Sequence, residues 1–90
     1  FHPVKIDIRS SQGTLVTVSG RGLLSDKPNS ISFGHGEPVT IAWHAGPWAH
    51  DEGWWSQRRR RAHLHIVLED ERALWVYIER GKWWLAGVFD

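Results

Sequence analysis

The chain has 90 residues, enough for one hydrophobic core and too few for two, so positions 1–90 are taken as a single domain. It contains no cysteine, which excludes a disulfide framework and thiolate metal sites, and no apolar run near the roughly 18 residues a membrane helix needs. Eleven Lys and Arg against ten Asp and Glu leave a formal charge of +1, so any nucleic-acid contact would have to come from local clustering of charge.

The elements are taken in chain order. Val4, Ile6 and Ile8 alternate with Lys5, Asp7 and Arg9, the period of a half-buried strand. A turn at Ser10 to Gly13 and the apolar pair Val16 and Val18 predict a first hairpin, after which Leu23 and Leu24 are placed over an open end of the core. Pro28 and Asn29 mark a loop, and Ile31 with Phe33 a short strand. Val39, Ile41 and Trp43 read as one face of the next strand. The stretch from Gly46 to Arg61 has no clean period and reads as an irregular loop with a short helical turn, held by its tryptophans. Alternation returns with Leu64, Ile66 and Leu68, then Leu74, Val76 and Ile78, then Trp83, Leu85, Gly87 and Phe89, separated by turns at Glu69 to Arg72 and Glu79 to Lys82. Trp83, Leu85 and Phe89 are therefore expected in the core. The expected fold is all-β: a small, mostly antiparallel barrel or compact sandwich of about six or seven short strands, with an irregular Trp/Arg-rich central segment. A barrel best removes exposed strand edges.

Chemistry-bearing residues are sparse. His63 and His65 lie two apart on a strand and share a face, and further ligands would have to come from His44, His50 or a carboxylate; without cysteine or an HExxH pattern no metal or other cofactor is expected. Asp51 and Glu52 adjoin four arginines, where ion pairing is a simpler role than acid–base catalysis, and Gly20-Arg21-Gly22 lacks the spacing of a phosphate loop. The chain is read as no enzyme. Seven tryptophans stand out, and Trp48, Trp54 and Trp55 with Asp51, Glu52 and the run Arg58, Arg59, Arg60 and Arg61 form the candidate interaction surface. Tryptophan and arginine are the usual anchors of protein interfaces. The same pair can stack on bases and hold phosphates, which keeps single-stranded or damaged DNA as an alternative partner, and a purely structural cap on the parent chain is the third reading.

Three blocks in order, VSGRGLLS from Val18 to Ser25, GPWAHDEGWW from Gly46 to Trp55 followed by Arg58 to Arg61, and GKWWLAGVFD from Gly81 to Asp90, resemble the C-terminal region of ImuB proteins in their actinobacterial form. Trp48, Asp51, Glu52, Trp54 and Trp55 match the central block of that family, and Gly81, Trp83, Trp84, Gly87 and Asp90 the terminal one, while Ala49, His50 and Gly53 depart from it. The resemblance implies a cytoplasmic, non-catalytic hub, similar to Y-family lesion-bypass polymerases, that assembles an error-prone translesion complex after DNA damage. Its implied partners are a RecA-like accessory protein, ImuA or ImuA-prime, and an error-prone C-family polymerase, with the sliding clamp bound by the parent chain elsewhere. With Phe1 first and no methionine anywhere, the sequence also reads as a fragment of a longer chain.

Overall fold

A computed structural model of the chain describes residues 4–19, 21–34, 36–52 and 59–89, with 49–52 and 59–60 described by backbone alone. Its six strands are β1 (Val4–Arg9), β2 (Ser30–Phe33), β3 (Val39–Glu52), β4 (Arg59–Leu68), β5 (Ala73–Glu79) and β6 (Lys82–Phe89). They form a closed antiparallel barrel in sequence order, sealed by pairing β1 with β6. The described residues contain no helix, and so none long and apolar enough to cross a membrane.

The inward residues are those the period-two pattern selects. Ile6 and Ile8 of β1, Ile31 of β2, Leu64, Ile66 and Leu68 of β4, and Leu74 and Val76 of β5 are all buried. Cross-strand partners share a face, so Ile8 meets Ile31, Leu64 meets Val76 and Ile78 meets Trp83. The β4–β5 turn closes with Leu68 N–H donating to the Arg72 carbonyl at 2.9 Å. Arg80 and Gly81, both at positive φ, make the two-residue β5–β6 turn whose twist suits a hairpin.

The predicted first hairpin is reduced to contacts around isolated bridges, Arg9 with Leu15 and Val18 with Leu24. A strand has only two edges, and those of β1 are mostly taken. β2 pairs with Ile6 to Arg9 and β6 with Val4 to Ile6, leaving the second edge free only at the end of the strand. Residues 10–19 and 21–29 instead pack on the barrel as a cap, through Val16, Val18 and Leu24. Val16 is buried there and donates its N–H to the Ile8 carbonyl at 2.8 Å. Trp83 Nε1 donates to the Val16 carbonyl at 2.7 Å, so the largest core side chain has its polar group satisfied by the cap. Leu24 packs on the core as expected of a covering residue, whereas Leu23 is 65% exposed.

The central segment is also more regular than its sequence suggests. Gly46 to Glu52 continue β3, and Arg59 to Arg61 begin β4. The irregularity is concentrated in a bulge between Ala45 and Trp48, where the two residues Gly46 and Pro47 lie opposite the one residue Leu64. Gly46 has φ +106°, and a Cβ there would lie 2.7 Å from the His63 carbonyl oxygen, so the close approach of β3 to β4 requires glycine.

Candidate functional site: an aromatic outer face

The outward residues of β3 to β6 are aromatic where a solvated sheet face is ordinarily polar. Register places Trp48, His63, Tyr77 and Trp84 in one cross-strand row, and Ala45, His65, Trp75 and Gly87 in the next. Trp75 lies at the centre. Its ring stacks with Trp48 at 5.7 Å between centroids and with His63 at 5.3 Å. His65 meets the edges or faces of three rings, those of Trp43 at 5.6 Å, Phe89 at 5.7 Å and Trp75 at 6.3 Å. Its Nε2 is buried among them with no hydrogen-bond partner among the described residues. Offset and edge-to-face contacts of this kind hold rings in fixed relative positions, each adding about 0.5–1.5 kcal/mol beyond the area buried.

Three bulges create this face. Between Ile41 and Trp43 the register against β4 slips by one residue, Ala42. Ile41 stays inside opposite Leu68, but Trp43, predicted on the same face, is turned outward. The Gly46-Pro47 bulge does the same for Trp48. In β6, Val76 faces Leu85 while Trp75 faces Gly87, so Ala86 is the extra residue and Phe89 is turned out of the core into which strict alternation put it. Trp83 at 2% exposure and the half-buried Leu85 remain core residues as expected. Trp43, Trp48 and Phe89 end at 52%, 49% and 53% exposure. A bulge inserts one residue, bends the strand and re-aims the side chains beyond it. Here each of the three delivers an aromatic residue to the outside.

One corner of the face is charged. Arg61 lies opposite Glu79, with Nε donating to Oε1 at 3.2 Å, and its guanidinium Cζ sits 4.5 Å from the Tyr77 ring centroid. This cover explains why Tyr77, an outward residue, is only 6% exposed. The cation is thereby held in place by an ion pair and a ring together.

The predicted interaction residues divide accordingly. Trp48 and Arg61 belong to the outer face. Asp51 and Glu52 are in β3 and face Arg60 and Arg59 across the ladder, so acidic backbone positions oppose basic ones. Trp54, Trp55 and Arg58 lie outside the described residues. Sequence reasoning did not select Trp43, His63, His65, Trp75, Tyr77 or Phe89 for this surface. A signal was present for four of them, since His63 and His65 alternate with leucine and isoleucine, and Trp75 and Tyr77 with leucine, valine and isoleucine. Such strands have an aliphatic side and an aromatic one, and both need cover. Among the described residues no three side chains are grouped to hold a metal ion.

In comparisons with known proteins, the chain matches no family model, no curated protein and no solved structure.

Proposed function

We propose that this domain is a non-catalytic protein-interaction module of an ImuB-type hub, helping to assemble the error-prone translesion complex after DNA damage. The observation that carries the interaction reading is the trio of bulges that turns Trp43, Trp48 and Phe89 outward onto an already aromatic wall. Burying three such rings inside would have served stability. Holding them half-exposed on a rigid sheet serves contact, because preordered aromatic anchors lose little freedom on binding. The translesion context comes from the three sequence blocks, and with it the proposed partners: ImuA or ImuA-prime, and the C-family polymerase.

A second reading is contact with single-stranded or damaged DNA. It is favoured by Trp48, whose ring stacks on Trp75 and remains half-exposed, as a base-stacking platform would. Titration of the wild type, a Trp43→Ala/Trp48→Ala variant and an R58E/R60E variant against ImuA-prime, the polymerase and a single-stranded oligonucleotide separates the two. The protein reading expects both variants to keep the barrel's circular dichroism while losing a protein partner. Removing central aromatic anchors costs about 2 kcal/mol or more of binding. Loss of the oligonucleotide alone, with a steep salt dependence, supports the DNA reading and overturns the first.

A further inference from the structure

The outer face supplies anchors, and the neighbouring edge of β3 supplies hydrogen bonds. One edge of β3 is paired with β4, while the other is paired with β2 at only Val39 and Thr40. Ile41 N–H donates to the Asn29 carbonyl at 2.8 Å, and from Trp43 to Trp48 no strand lies on that side among the described residues. The preceding chain diverges instead. It leaves a cleft of about 490 Å³ between Ser11 and residues 27–29 on one wall and residues 41–44 of β3 on the other. A strand edge facing open space presents unspent N–H and C=O groups at alternate residues. These groups match another peptide backbone and do not match a sugar-phosphate chain.

The surroundings specify the rest. Lys27 lines the cleft, is exposed, and makes no ion pair among the described residues. His44 adds a ring with hydrogen-bonding capacity, and no carboxylate is among the lining residues. The nearby Asp26 carboxylate is turned back onto the Lys27 N–H at 2.7 Å. Trp43, half-exposed, lines the cleft and borders the aromatic face. At the far end, the Gly46 bulge and Pro47, which has no N–H, interrupt the edge. The usable edge is therefore short, and such an edge admits one strand locally without templating an open-ended sheet.

We propose that the partner docks through an extended acidic peptide that adds as a strand to the β3 edge beside Trp43. Its carboxylates lie toward Lys27 and His44, and an apolar side chain lies on the Trp43 ring. Strand addition of this kind takes affinity from main-chain bonds and selectivity from alternate side chains. The inference rests on the protein-interaction reading and deepens it.

Amide hydrogen exchange by NMR tests it on the intact domain, with a blocked ten-residue peptide alternating glutamate and valine as the probe. At a peptide concentration about ten times its Kd, free edge amides of residues 42–46 that exchange only from the unbound state slow about tenfold. Of two versions N-methylated at every valine or at every glutamate, the one lacking the N–H groups that face β3 loses binding. Lys27→Glu weakens the acidic peptide at least about fivefold at low salt, and a lysine–valine peptide binds less well than the glutamate one. Equal binding of both N-methylated versions, equal binding of the lysine peptide, or no slowing at residues 42–46 would overturn the proposal. Slowing of the same amides by oligothymidylate would overturn it as well. If the edge amides stay unprotected while Trp43→Ala/Trp48→Ala still loses a protein partner, the edge inference fails and the interaction reading stands. If the wild-type domain retains no protein partner, both fail.

Discussion

Trp83 and Trp48 belong to opposite faces of one barrel wall, and their surroundings differ in every respect that matters for energy. Trp83 is 2% exposed, packs among aliphatic side chains, and gives its indole N–H to the Val16 carbonyl. Trp48 is 49% exposed, touches Trp75, and comes just after a bulge that places it outside. Among the described residues the fully buried core is aliphatic apart from one large indole, with the Phe33 ring packed partly buried against it, whereas the outer face is a set of rings braced against one another. Indole side chains are thus used in two ways within one small domain. One closes a core and anchors a cap, and the other is held ready for contact.

That contrast sets a ladder of expected effects. Trp83→Ala removes the largest core side chain and orphans the Val16 carbonyl, and should cost about 3–5 kcal/mol, a large share of a small domain's stability. The denaturant midpoint should fall steeply, and an unchanged midpoint would put the indole outside the core. Gly46→Ala should cost about 1–3 kcal/mol, because it forces a Cβ residue to φ +106° against the His63 carbonyl. The matched control is Gly87→Ala, where a Cβ meets nothing within 4 Å, and its midpoint should move by no more than about 0.5 kcal/mol in equivalent stability. Equal losses at the two glycines would mean that the bulge is not held by that close approach.

Phe89→Ala should cost about 1 kcal/mol or less, since its ring is half-exposed and leans on His65. Thermal melts of Phe89→Ala and Trp83→Ala side by side measure the inside–outside difference directly, and similar losses would erase it. Glu79→Gln should have the smallest effect, about 1 kcal/mol or below, by weakening a pair whose side chains are about one-fifth exposed. Its melting shift should shrink in added salt, and a salt-independent loss would point to packing over charge.

Much of the barrel was legible because alternation carries physical meaning. Ile6 and Ile8, Leu64 to Leu68, and Leu74 to Ile78 needed only a period of two to be placed inside. Trp43 and Phe89 were misplaced for one shared reason: a single inserted residue reverses every face after it, and Ala42 and Ala86 carry no local signature of a bulge. Gly46-Pro47 did carry such a signature, but the same two residues also read as a loop boundary, which concealed the continuation of β3 through Glu52. The segment around Val16 resembled a strand in composition, and only the occupancy of the β1 edges decides otherwise. The aromatic face was divided in the sequence among four strands, so its continuity depended on register, which a linear reading does not contain.

The seam between β1 and β6 has a kinetic consequence. Val4 pairs with Leu85 and Ile6 with Trp83, so the barrel is sealed by residues separated by nearly the whole chain. From β3 to β6 each strand pairs with its neighbour in sequence, whereas the seam joins the first strand to the last and carries the larger loop-closure entropy. By that entropy, sealing is expected to follow the growth of the sheet. Trp83 lies at that seam and also pairs with Ile78 of β5, so in a variant with the other six tryptophans replaced its emission would follow the closing of the core around it.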